Sequence, residues 1–186
     1  MVNYYTYLEI YLKNLDMHLN LNEFEKYFKK PHQTIKRHLN HLVKQNILIE
    51  EKKDRFLFYT INKNNPLTFE YISICEKQKL FSLLEKPIFK RLYTTLSKHF
   101  KTNKVLLFGS SAYKESFNDI DILIISKDKE IIKTLKSFEQ TYSTKLHIIQ
   151  TVEKNLTETF KKELIKNHII VNEYDYFINI LYKQRL

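Results

Sequence analysis

Gly109 is the one glycine in a chain of 186 residues. At the usual ~7% there would be about 13, so nearly every turn must be made by residues that carry a Cβ. The single permissive backbone position marks a place where no other residue fits. It follows the apolar run Val105-Leu106-Leu107-Phe108 and precedes Ser110-Ser111-Ala112. That order reads as a buried strand entering a tight turn at a helix start. Backbone N–H groups and a hydroxyl would face outward there, an arrangement that binds phosphate. Gly109, Ser110 and Ser111 are therefore the nucleotide-binding candidates.

The next segment is Asn118-Asp119-Ile120-Asp121-Ile122-Leu123-Ile124-Ile125. Side chains alternate along a strand, so Asp119 and Asp121 are expected on one face. Two carboxylates so placed repel unless a cation lies between them. Mg²⁺ (or Mn²⁺) takes one or two carboxylates together with phosphate oxygens. Asp119 and Asp121 are thus candidates both as catalytic residues and as metal ligands. Apolar runs at 105–108, 120–125 and 146–149 alternate with helical patterns at 87–100, 128–141, 153–166 and 173–183. This predicts a layered α+β or α/β arrangement.

The stretch L-L-F-G-S-S-A-Y-K-E-S-F-N-D-I-D-I-L-I-I resembles the G-S motif and paired aspartates of the DNA polymerase beta-like nucleotidyltransferase superfamily. It looks most like the minimal nucleotidyltransferases, some of them antitoxins, over roughly residues 87–183. The resemblance implies a small mixed sheet flanked by helices. It also implies transfer of a nucleoside monophosphate, AMP being one candidate, from an NTP to a hydroxyl of an acceptor. Gly109 and Ser110 would hold the triphosphate, and Asp119 and Asp121 the metal. Tyr113 and Lys114 stand where the family often has Arg-Gly, and the loop to Asp119 is on the short side. The third carboxylate of a later strand is replaced by His147, within Lys145-Leu146-His147-Ile148-Ile149-Gln150. Two readings stay open: an enzyme, or a transcriptional regulator or antitoxin whose nucleotidyltransferase domain is degenerate and non-catalytic.

Toward the N-terminus, PHQTIKRHLNHLVKQN (31–46) predicts a helix with Ile35, Leu39, Leu42 and Val43 as its buried stripe. Gln33, Lys36, Arg37, Asn40 and Lys44 fall on the opposite face, and the helix has no acidic residue. These side chains can read base edges or bind phosphates in a major groove. His38 and His41 are expected on the solvated or DNA-facing surface. Shorter amphipathic patterns precede the helix, one through Tyr7, Ile10 and Tyr11 and another through Leu21, Phe24 and Phe28. Two strands follow, 47–51 and 55–61, about a turn at Lys52-Lys53-Asp54. Helices followed by a basic-tipped hairpin form the layout of a winged helix-turn-helix. The stretch T-I-K-R-H-L-N-H-L-V-K-Q-N-I-L-I resembles the recognition helix and first wing strand of many small bacterial and archaeal regulators. That resemblance implies double-stranded DNA as a partner, with Lys52 and Lys53 on the wing.

Charge agrees with a polyanionic partner. The formal net charge is +10, and residues 26–55 hold nine basic against three acidic groups. Each neutralised phosphate releases counterions, so a local surplus of this kind favours DNA. The expected domains are a winged helix-turn-helix at 1–65, a connecting helix at 66–86, and a minimal nucleotidyltransferase at 87–186. No apolar segment is long enough to span a membrane. The lone Cys75 and the lack of a secretory pattern point to the cytoplasm. A homodimer, a protein acceptor and a toxin partner are left open.

Overall fold

Asn20 nucleates the first α-helix through a capping box. Its side chain accepts from the amides of Asn22 and Glu23, and the Glu23 carboxylate accepts from the Asn20 amide at 2.7 Å. In the computed structural model, which describes residues 4–114 and 116–183, this helix belongs to the first of two compact units. The units are Met1–Cys75 and Glu76–Leu186.

The first unit begins with a 3-10 helix at Tyr4–Tyr11, where the short amphipathic pattern through Tyr7, Ile10 and Tyr11 was expected; Tyr7, Leu8 and Tyr11 are buried. The short strand β1 (Leu19–Asn20), α1 (Leu21–Phe28) and α2 (His32–Lys44) follow. A hairpin of β2 (Leu48–Lys53) and β3 (Phe56–Ile61) comes next. The sheet order is β1-β3-β2 and every pairing is antiparallel. Lys53 pairs with Phe56, so the hairpin closes over two residues, Asp54 and Arg55. Lys52 and Lys53 therefore end β2 instead of forming the turn. Asp54 takes the positive φ of 56° that the turn demands, a conformation Asp tolerates better than most residues. The Tyr11 hydroxyl donates to the Tyr59 carbonyl at 2.7 Å, tying the 3-10 helix to β3.

α3 (Pro66–Leu84) contains the division between the units. The expected connector at 66–86 is thus one helix shared by two cores. In the first unit Phe69, Ile72 and Cys75 are buried, and Thr68 Oγ1 donates to the Asn62 carbonyl at 2.8 Å. In the second unit Leu80 and Leu83 join the core.

That core lies under a four-stranded sheet of β4 (Lys104–Phe108), β5 (Ile120–Ile125), β6 (Leu146–Thr151) and β7 (His168–Ile170). The order is β6-β5-β4-β7, with β5 and β6 parallel and the other pairs antiparallel. The sheet is accordingly mixed, and the two small sheets with their helices make an α+β protein. Val105, Leu107, Ile120, Ile122, Ile124 and Ile169 share a core with Phe89, Leu92 and Leu96 of α4 (Pro87–Ser97). Ile131, Leu135 and Phe138 of α5 (Glu130–Tyr142) close the same core. Alternate strand residues face the other side, with α6 (Glu158–Lys166) and α7 (Tyr174–Tyr182) completing the chain order. There Phe160 of α6 meets Phe108 edge-on at 5.9 Å between ring centroids.

With a single glycine in the chain, five of the described residues that bear a Cβ adopt positive φ: Lys29, Asn46, Asp54, Ser143 and Glu173. Among the described residues no helix is long and apolar enough to cross a membrane.

Candidate active site and basic face

One row of the second sheet carries the chemistry. His147 pairs with Asp121, Asp121 with Phe108, and Phe108 with His168, so these four side chains project on the same face of the sheet. This face is opposite to the Leu107–Ile122 face buried under α4 and α5. Asp121 therefore turns away from the core and is 17% exposed in its side chain. Asp119 lies just ahead of β5, in the bend that enters it, and is half-buried.

Gly109 follows Phe108 with φ 68° and ψ −155°, a region almost reserved for glycine. A Cβ at this position would collide with Asp121 Oδ2 and lie 2.9 Å from Asp121 Cγ. The lone glycine thus lets the backbone pass beneath the carboxylate. Ser110–Ala112 forms a single 3-10 turn, with the Ala112 amide donating to the Gly109 carbonyl at 3.3 Å. Ser110 is half-buried. Ser111 differs from expectation: it is fully buried, and its hydroxyl donates to the Phe108 carbonyl at 3.3 Å. Its side chain braces the turn from within, so the hydroxyl expected at the ligand is the one on Ser110.

His147 stands next to Asp121, with Nδ1 2.8 Å from Oδ1. Among the described residues no three His, Cys, Asp or Glu side chains converge as a metal-holding group. A hard divalent cation does not require three, because Mg²⁺ binds through one or two carboxylates plus substrate phosphates. Asp119 and Asp121 are the two carboxylates here that such an ion would use.

A second polar cluster on this sheet face was not foreseen. His168 Nε2 lies 3.2 Å from Glu76 Oε1, the Tyr182 hydroxyl donates to the same oxygen at 2.6 Å, and Lys79 Nζ lies 2.9 Å from Oε2. Burial pushes the Glu76 pKa up. The charges of His168 and Lys79 and the hydrogen bonds from His168 and Tyr182 overcome this, holding it at about 2. His168 Nδ1 faces the Leu164 carbonyl at 2.9 Å, which fixes the ring. Glu76 and His168 are buried and Lys79 reaches them from the surface, so the cluster's role is to hold α3, β7 and α7 together.

In the first unit, Gln33, Lys36, Arg37, Asn40 and Lys44 are all exposed, as their helical spacing predicted. They line one depression of about 440 Å³, together with Tyr4 and His41. The Tyr4 and His41 rings stack at 3.9 Å and 24°. Tyr4 is thus a member of this face. His38 corrects an expectation: it is 4% exposed, between the rings of Tyr4 at 5.2 Å and Tyr7 at 4.9 Å. Burial lowers its pKa, and Arg37, Lys30 and His41 act in the same direction. His32 is exposed and pairs with Glu25. Lys52 and Lys53 are exposed on the hairpin, where Lys53 Nζ lies 3.9 Å from Glu51.

Residues 90–176 match the family model described as Polymerase beta, Nucleotidyltransferase. This span includes Gly109, Asp119, Asp121 and His147 and supports a nucleotidyltransferase-type domain there. No curated protein and no solved structure matches the chain.

Proposed function

We propose that the second unit transfers a nucleoside monophosphate from an NTP to an acceptor hydroxyl, with Mg²⁺ or Mn²⁺. We further propose that the first unit is a winged helix-turn-helix that binds double-stranded DNA. The observation that carries the enzymatic reading is the apposition of Gly109 and Asp121: a Cβ-free backbone turn lies directly under a carboxylate oxygen. It occurs inside the span matched by the nucleotidyltransferase family.

In this reading the turn at Gly109 and the Ser110 hydroxyl hold the β- and γ-phosphates, and Ser111 keeps the turn in shape from its buried side. Asp119 and Asp121 would hold the cation, which would offset the negative charge of the triphosphate. The acceptor oxygen bonds to the α-phosphorus as its bond to the departing pyrophosphate breaks, and the hydroxyl proton is released to solvent. Catalysis is then chiefly positioning and electrostatic stabilisation. AMP is one candidate for the transferred group, and a protein is one candidate acceptor.

The DNA reading rests on the face of α2. Its five polar or basic side chains share one depression, and no acidic residue lies on the helix. The 3-10 helix, α1, α2 and the antiparallel β2–β3 hairpin follow one another in winged-helix order. Lys52 and Lys53 extend positive charge onto the wing.

The second reading is a DNA-binding regulator whose nucleotidyltransferase domain is retired from catalysis. The observation favouring it is His147, an imidazole beside Asp121 where the family resemblance implies a carboxylate. Transfer of α-labelled nucleotide from each NTP, to the protein itself or to added lysate, decides between them. Label that depends on Mg²⁺ or Mn²⁺ and is lost in the Asp119→Ala, Asp121→Ala double variant is the expected result. Equal label in wild type and double variant, with DNA binding intact, would establish the regulator.

A further inference from the structure

The two oxygens of the Asp121 carboxylate have different neighbours. Oδ1 lies 2.8 Å from His147 Nδ1, whereas Oδ2 lies over Gly109, in the space a Cβ would take. An ionised carboxylate only accepts hydrogen bonds, so Nδ1 carries the hydrogen in this pair. Strand register enforces the meeting, because Asp121 and His147 are partners in the parallel β5–β6 ladder. The His147 side chain is 57% exposed, so water screens the pair and its stabilising effect is small. Its geometric effect is not screened: one oxygen is held toward β6 and the other is left facing the turn.

We propose that His147 is a positioning residue. It anchors Asp121 Oδ1 through Nδ1–H, so that Oδ2 alone is presented to the cation and triphosphate at the Gly109 turn. This role rests on the nucleotidyltransferase reading above. It casts His147 as acting through the carboxylate and not as a ligand, in keeping with the absence of a three-residue metal group among the described residues. An Nδ1 that donates its hydrogen to Asp121 has no lone pair left, so this nitrogen cannot itself bind the cation that Asp121 holds. Partners that hydrogen-bond to ligating carboxylates typically set about 10–100-fold of metal affinity. The histidine thereby supplies orientation in place of a further negative charge.

The test is calorimetric titration of inorganic triphosphate into the full chain in excess Mn²⁺. Wild type is compared with His147→Ala, His147→Asn and Asp121→Asn. The expected result is a loss of about 10–100-fold in His147→Ala, with most of it recovered in His147→Asn, whose side-chain N–H reaches the same oxygen. Melting temperatures of the His147 variants should match wild type, since the residue is exposed. Unchanged affinity in His147→Ala overturns the positioning role. So does an equal loss in the alanine and asparagine variants, which would mark the imidazole itself as the ligand. A wild type that binds no better than Asp121→Asn overturns the nucleotidyltransferase reading itself, and this role with it.

Discussion

Asp121 Oδ2 lies in the space that a Cβ at Gly109 would need, with Asp121 Cγ only 2.9 Å from that position. The backbone there, at φ 68° and ψ −155°, is also one that side chains oppose. Gly109→Ala therefore meets two obstacles together. It should destabilise the second unit by roughly 1–3 kcal/mol from backbone strain and abolish Mn²⁺-dependent triphosphate binding. Urea unfolding and calorimetry measure the two effects separately. Full binding by the alanine variant would remove the turn from the site.

For the basic face, Lys36→Ala combined with Arg37→Ala should weaken binding to any DNA duplex. It should also flatten the dependence of log K on log salt by about 1 for each phosphate contact removed. Fluorescence anisotropy over a range of salt concentrations reads both. A weaker complex with the same slope would mean that neither side chain touches phosphate.

Glu76 is enclosed with His168, Tyr182 and Lys79. Removing one member of a buried charged set leaves its partners uncompensated, a loss of about 3–5 kcal/mol. Glu76→Ala should lower urea stability by that order. A change below about 0.5 kcal/mol, as at ordinary surface sites, would show that the cluster does not hold the elements together.

The same carboxylate sets an acid response. Its pKa is held at about 2 in the folded chain against an ordinary 4.5. A depressed carboxylate contributes stability that is full above the unfolded value and lost as pH falls through the folded one. Wild-type stability should thus fall from about pH 4.5 down to about pH 2. Glu76→Gln should be less stable at neutral pH and flatter across that window. Parallel slopes in urea midpoints against pH would assign the acid response to other groups.

Much of this was legible where periodicity and residue type agree. The apolar run at 120–125 with its flanking aspartates predicted β5, and the Ile35–Leu39–Leu42 stripe predicted which face of α2 is exposed. His38 was misread because its polarity argued for solvent, although it adjoins that stripe; two tyrosine rings from a distant helix enclose it. Ser111 was misread because nothing local indicates which of two adjacent hydroxyls turns inward, and the Phe108 carbonyl decides. The Glu76–His168–Tyr182 cluster joins positions 106 residues apart at its extremes. No window of sequence could contain it, and each member alone resembles an ordinary surface residue.

Lys29, Asn46, Asp54, Ser143 and Glu173 each hold a left-handed backbone that glycine would adopt freely. An L-residue bears roughly 1–2 kcal/mol of steric opposition there. Substitution by glycine would relax the chain at those five turns, while any side chain at 109 would jam the one turn built around its absence. A glycine scan of this protein would therefore read as a map with opposite signs, slack at the bends that shape the fold and lock at the bend that faces a ligand. The scarcity of glycine makes the distinction visible, because no other turn obscures it.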